Sequence, residues 1–436
     1  MNLQKKNTVR SKFLAFFVLS SLFLTACQRS IFDSPTVAPA TLRDVPALKL
    51  NFRFESDVPA PSSAAEPQSA EERVQAVQND FDTNRPQEVL DKTLLSPDKK
   101  RVLAVYHKTE DLQAEFRLDM YSADGKLLRK ITPEGLSVHF PDTIVWSPDS
   151  NNVAFVGMVR LGTNAPTASP TPENTPEPEA NADAEAETPA DENAAPPAGT
   201  PTPEPAPPVL TFRTEQIYIC NADGGDLKPL TQNEGMIYFY FTWSPDSSAL
   251  AALAATWQEW RFEQAQADQR GEIFTPSGRP RLVEKNGRVR LLDDRPTRVH
   301  PVWSPDSAKI AVAVDKEVRI FDAIGDSPTQ ASIPLRNQLL LSSQKYDDDL
   351  RRKERGENVE ASANENADAN ANSGVGTLPD ENSLVSFNPI IRLEWTEPGM
   401  LYLQTGYIRE LKDAANSARS YLRWHRLIFS PQPVAL

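Results

Sequence analysis

The sequence predicts an all-β propeller of four-stranded blades, on three observations. The pentapeptide Trp-Ser-Pro-Asp-Ser recurs at Trp146–Ser150, Trp243–Ser247 and Trp303–Ser307, and degenerate copies stand at Leu95–Lys99 and Trp395–Gly399. Counted from the second residue of each copy (96, 147, 244, 304, 396), the intervals are 51, 97, 60 and 92, and the two long ones fall to 52 and 49 once the low-complexity inserts 164–208 and 344–386 are set aside. Each unit then holds about four short strands, and a period near 50 with that strand count is the pattern of a propeller blade.

In chain order, residues 1–26 read as an export signal. Lys5, Lys6, Arg10 and Lys12 form a basic start, and Phe13 to Leu24 is an apolar run too short to span a bilayer. It ends in Leu24-Thr25-Ala26-Cys27, which resembles the lipobox of bacterial lipoproteins. That resemblance implies cleavage before Cys27 and a lipid on its thiol. Several acyl chains, at about 0.8 kcal/mol per buried methylene, hold a chain stably on a membrane. Gln28 follows rather than Asp, which by the same resemblance favours the outer membrane where the organism has one. Residues 27–46 are expected to be a tether, and 47–436 the propeller.

Leu48, Leu50, Phe52 and Phe54 alternate with polar residues, the period of a half-buried strand. Ser69 to Glu72 fits a capping box opening a short helix through about Phe81. In the first full unit, Ser96-Pro97-Asp98 is a turn, with strands expected at Arg101 to Tyr106, Phe116 to Tyr121 and Leu127 to Ile131. The second unit repeats the order: Val153 to Val159, Gln216 to Cys220, the Asp223-Gly224 turn, Leu227 to Leu230, then Met236 to Trp243.

Trp-Ser-Pro-Asp-Ser, followed by a strand, then Ile217-Tyr218-Ile219-Cys220-Asn221-Ala222-Asp223-Gly224-Gly225 and Leu230-Thr231, is similar to the repeat of TolB-type propellers. The resemblance covers about residues 90–430. It implies six blades, with five and seven as the alternatives; the sixth is expected from Leu48 to Phe54 and the segment up to Leu95. Tyr421 to Phe429 is expected to share a blade with the N-terminal strand and close the ring. Trp146, Trp243, Trp303 and Trp395 sit at equivalent places and are expected to fill the space between blades, each covering about 150–250 Å².

The formal charge is −14, and residues 1–26 carry four bases and no acid, so the rest of the chain carries −18. An acidic chain is a poor partner for nucleic acid, whose phosphates need Lys and Arg. Much of the acidity lies in the inserts: 164–208 holds 13 prolines, nine acids and no base, and 344–386 holds ten acids and five bases. Both lack the apolar residues that offset ordering entropy and are expected to be disordered, apart from a short charged helix at Tyr346 to Arg355. With only Cys27 and Cys220 there is no disulfide framework; Cys220 reads as a small buried hydrophobe.

No Gly-x-Ser-x-Gly elbow, phosphate loop, dinucleotide fingerprint or His-Glu-x-x-His occurs. The four histidines (His107, His139, His300, His425) are far apart and read as ordinary strand or surface residues. Asp368-Ala-Asn370-Ala-Asn372 imitates a calcium loop, but Ser373 replaces the glycine and Pro379 the bidentate Glu. No cofactor, metal or catalytic residue is therefore expected. Trp257, Trp260, Arg261 and Phe262 cluster in the unit between 244 and 304, which departs from the repeat. They are the candidate partner patch, against the plainer reading of an enlarged blade core. The expected function is a lipid-anchored, non-enzymatic binding or scaffold module of the cell envelope with a protein partner. The alternatives are a hydrolase or lyase with its site in the propeller channel, or a sensor of glycans or peptides.

Overall fold

The computed structural model describes residues 42–64, 73–111, 114–159, 214–356 and 378–431. The chain enters through β1 (Leu50–Glu55) and helix α1 (Gln75–Asn84). Sheet 1 is then β2 (Glu88–Leu95), β3 (Arg101–Lys108), β4 (Arg117–Ser122) and β5 (Leu127–Lys130), each antiparallel to the next. In sheet 2, β6 (Leu136–His139) and β7 (Val145–Trp146) both pair with β8 (Asn152–Val159), followed by β9 (Gln216–Asn221) and β10 (Lys228–Pro229). Sheet 3 is β11 (Met236–Trp243), β12 (Ala249–Thr256), β13 (Arg279–Glu284) and β14 (Val289–Leu291), with helix α2 (Trp257–Arg270) inserted after β12. Sheet 4 is β15 (Val302–Trp303), β16 (Lys309–Val314), β17 (Glu317–Asp322) and β18 (Gln330–Pro334), followed by helix α3 (Arg336–Glu354). In sheet 5, β19 (Ile390–Glu397), β20 (Met400–Arg409) and β21 (Ala418–Pro431) are completed by β1.

The protein is thus a β-propeller of four-stranded antiparallel sheets. The N-terminal strand completes the last sheet as the sequence suggests: β1 pairs with β21 from Leu50↔Pro431 to Glu55↔Arg426. A sixth blade is not formed among the described residues, which corrects the expected count. Its intended strands serve elsewhere, β1 at the rim of sheet 5 and β2 at the inner edge of sheet 1. The reason lies in α1. Val77 and Phe81, one helical turn apart, bury against Val102, Ala104, Tyr106 and Tyr121, so the helix covers the face of sheet 1 that faces away from sheet 2. It packs so closely that a Cβ on Gly125, itself at φ +87°, would stand 2.6 Å from the Ala76 Cβ. The capping box expected at 69–72 lies outside the described residues.

Four cores join consecutive sheets, and each holds one motif tryptophan: Trp146 between sheets 1 and 2, Trp243 between 2 and 3, Trp303 between 3 and 4, Trp395 between 4 and 5. All four are buried. Trp146 and Trp303 donate their indole N–H to the Leu94 and Thr242 carbonyls of the preceding sheet, at 3.1 and 3.2 Å. The pentapeptide turns also interlock. The serine closing the motif has left-handed backbone (Ser150, Ser247 and Ser307, φ +61 to +62°), a conformation costly for L-residues. Its hydroxyl accepts the backbone N–H of the Asp in the previous copy: Asp98 to Ser150, Asp149 to Ser247 and Asp246 to Ser307, at 3.0, 3.0 and 2.9 Å.

Strand direction gives the propeller two unlike faces. The Trp-Ser-Pro-Asp-Ser turns join each inner strand to the next, so they share one side, here the turn face. On that side Arg43 donates to the Asp306 carbonyl at 2.7 Å. The Ala47 N–H donates to Asp322, whose carboxylate is held by buried Lys309 at 2.8 Å. The chain therefore enters at the turn face. On the opposite side, the helix face, lie α2, the root of α3, the β20–β21 hairpin and the points at 159 and 214 where the first insert leaves and returns.

Candidate functional site

The inner strands converge on the propeller axis, and the repeat decides what they present there. The position three residues before the motif tryptophan is Tyr240 in sheet 3, His300 in sheet 4 and Arg392 in sheet 5; before Leu95, which replaces Trp in sheet 1, it is Lys92. Tyr240 and His300 stack with ring centroids 3.6 Å apart and planes 10° from parallel. Burial pushes the Tyr240 phenol up to about 12, and the nearby Glu394 carboxylate adds to this. Glu394 belongs to sheet 5, two sheets along from sheet 3, yet its charge reaches Tyr240. His300 keeps solvent access, yet the crowding of its ring lowers its pKa from the ordinary value. Lys92 reaches Asp142 of sheet 2 at 3.0 Å. Arg392 pairs with Glu394 at 2.6 Å, and Ser63 donates to the same carboxylate at 3.1 Å. This is a polar lining in which cations and carboxylates are matched.

A second arrangement has the distances of a nucleophile relay but no access. Ser137 Oγ lies 3.2 Å from His139 Nε2, and His139 Nδ1 lies 3.0 Å from Glu215 Oε1. Ser137 and Glu215 are fully buried and His139 is 5% exposed, so no substrate reaches the hydroxyl; the three residues join β6 to the start of β9. The other histidines are strand residues with local partners: His107 meets Asp91 at 2.8 Å, and His425 meets Thr405 at 3.0 Å.

The candidate partner patch forms part of α2. Thr256 and Glu259 make a reciprocal capping box, and Gly271 ends the helix in left-handed conformation. Trp260 faces inward, 8% exposed, against Phe239, Phe140 and Phe274. Arg261 lies over the Trp257 ring at 5.7 Å, and Phe262 is 64% exposed. The four residues therefore divide, with Trp260 in the blade core and Arg261 and Phe262 facing solvent. Beyond the helix, Ile273 N–H donates to the Glu410 carbonyl and Lys412 N–H to the Gly271 carbonyl, each at 2.9 Å. The β20–β21 hairpin of sheet 5 is thereby strapped to sheet 3 across the helix face.

Cys27 and the insert 164–208 lie outside the described residues. The second insert is partly structured. The helix expected at Tyr346–Arg355 begins earlier, at Arg336, and its buried Asp347 accepts the Val385 N–H at 2.8 Å, which seats the returning chain. Among the described residues no group of three or more His, Cys, Asp or Glu is placed to hold a metal ion, and no helix is long and apolar enough to cross a membrane. Cys220 is buried and free, and burial pushes its thiol up to about 12.

Two groupings were not anticipated from the sequence. The axis set was legible in principle, because its members share one register of the repeat. The cluster around Arg423, which joins Asp57, Ser343 and Ser386, carries no sequence signal: its partners lie up to 366 residues apart.

No family model and no curated protein matches the chain. Solved structures do resemble it. A TolB-type protein from Agrobacterium tumefaciens matches with a TM-score of 0.25 and 13% identity, over 56% of this chain and 66% of that one. Prolyl oligopeptidase B from Galerina marginata matches with a TM-score of 0.36 and 8% identity, over 79% and 36%. Oligogalacturonate lyase from Vibrio parahaemolyticus matches with a TM-score of 0.29 and 11% identity, over 56% and 54%. The chain spans less than two thirds of the length of these proteins, and their activities do not transfer to it.

Proposed function

We propose that this protein is a lipid-anchored propeller of the cell envelope that binds a protein partner through its helix face and performs no chemistry itself. The observation that carries the reading is the polarity of the fold. Arg43 and Ala47 are pinned to sheet 4 at the turn face, and Cys27 stands 15 residues before Leu42. A chain of that length reaches at most about 50 Å. A lipid on Cys27 holds the turn face toward the membrane and leaves α2, the hairpin strap and the insert roots pointing away. Crosslinking in intact envelopes, followed by capture of the propeller, tests this. A partner recovered with the wild type and lost with Arg261→Ala/Phe262→Ser supports it. No partner, together with unchanged cell behaviour on deletion, contradicts it.

A second reading has its own support. The matched polar lining at the axis suits a small ligand, or a reaction in the channel, better than an inert plug would. Binding of a glycan or peptide that is lost in His300→Ala and Glu394→Gln, with the fold intact, would favour it.

A further inference from the structure

At the helix face, Ser56 and Asp57 leave β1 opposite one flank of α3, and the two enclose a cavity of about 350 Å³. Its floor is neutralised. Arg423, 4% exposed, takes the Asp57 carboxylate in a two-pronged pair at 2.7 and 2.9 Å, and its guanidinium lies 4.6 Å from the Tyr346 ring centre. Arg423 is held in turn by Ser343 and Ser386 at 2.9 and 3.1 Å. Asp57 keeps left-handed backbone, φ +55°, to make this pair.

The walls differ from the floor. Lys345 and Lys353, eight residues apart on α3, line the cavity with Ser56, Tyr346, Asp349 and Leu350. None of these two ammoniums and two hydroxyls has a hydrogen-bond acceptor or ion-pair partner among the described residues. Asp349, between the lysines, faces Arg352 at 3.7 Å instead. Eight helical residues rise about 12 Å, so the lysines stand at opposite ends of the cavity. Of the two lining carboxylates, Asp57 is held by Arg423 and Asp349 by Arg352, so the two ammoniums and two hydroxyls, which have no partner among the described residues, are the groups left to meet a ligand. Ionised oxygens are the groups that such donors hold best, and a few polar contacts of this kind fix a small ligand in a concave site.

We propose that this cavity binds a small oxyanion with two anionic groups, a di- or tricarboxylate or a phosphorylated small molecule. One end rests on Lys345 and the other on Lys353, with Ser56 and Tyr346 donating between them. The bound anion bridges α3 to the N-terminal strand. This site is separate from the axis and from α2.

Titration calorimetry of the full chain in detergent, with citrate as probe and ionic strength held with chloride, tests the assignment. Saturable binding is expected, with inorganic phosphate weaker than citrate. Lys345→Ala/Lys353→Ala should weaken citrate by roughly tenfold or more, since each charge-assisted contact is lost. Both lysines are exposed on the helix, so the variant should melt like the wild type. Lys126→Ala/Lys130→Ala, at the rim of sheet 1, should bind as the wild type does. No saturable heat with the wild type, or undiminished binding in the Lys345/Lys353 variant, overturns the proposal.

Discussion

The Ser247 hydroxyl accepts the backbone N–H of Asp149 at 3.0 Å, from a residue 98 positions away in the chain. Ser247 itself has φ +61° and is 1% exposed. The last residue of the pentapeptide thus does two things: it turns the chain where glycine would be easier, and it ties one blade turn to the one before. Removing the hydroxyl takes away the partner of a part-buried donor, at a cost of about 0.5–1.5 kcal/mol. Ser247→Ala keeps the backbone strain and loses the bond. Ser247→Gly loses the bond but relieves about 1 kcal/mol of left-handed strain. Urea unfolding should rank stability as wild type, then Gly, then Ala; Gly at or above the wild type would show that the hydroxyl matters less than the turn.

His425 makes stability depend on pH. Burial, with Arg423 adding, lowers its pKa to about 4, from 6.5. A histidine kept neutral in the fold takes up its proton sooner when unfolded. Its contribution is therefore complete above about pH 6.5 and is lost as pH falls toward 4, up to about 3 kcal/mol in all. His425→Gln should flatten the melting temperature across that window. An equal slope in the variant would place the titration elsewhere.

The motif carboxylates act lower. Asp149 and Asp246 are pushed up by burial but held below the ordinary value overall by their own Ser147 and Ser244 hydroxyls and the turn that follows. Depressed carboxylates stabilise above their unfolded pKa, about 3.9, and lose that contribution as pH falls through the folded value. Asp149→Asn/Asp246→Asn should therefore be less stable than the wild type at pH 7 and should converge with it as pH falls through the lowered folded pKa. A constant gap across the range would contradict this.

Trp260 and Phe262 should separate fold from binding. Trp260→Ala opens the core beneath α2 and should cost about 3–5 kcal/mol. Phe262→Ser removes an exposed ring and should shift stability by less than about 0.5 kcal/mol while weakening partner capture. Equal stability losses in both variants would mean that Phe262 is also structural.

The fold was legible because the repeat is a packing device. Trp146, Trp243, Trp303 and Trp395 must meet the same neighbour in each blade, so their spacing reports the blade period directly. The blade count was less legible. Leu50–Glu55 alternates as any half-buried strand does, and alternation does not say which sheet it joins; α1, with only Val77 and Phe81 as its apolar stripe, gave a weak helical signal. The axis residues Tyr240, His300 and Arg392 share a register but no chemical type, so periodicity marks the position without naming its role. Arg423 and Asp57 meet only after β1 pairs with β21, and no local pattern anticipates a pair that depends on strands so far apart in the chain.

The proposed lipid on Cys27 would hold the propeller by its turn face. Growing cells with labelled palmitate, with and without globomycin, and isolating this chain tests it most directly. Label is expected on the wild type, none on Cys27→Ser, and an unprocessed precursor when globomycin is present. A soluble, unlabelled mature chain would contradict it.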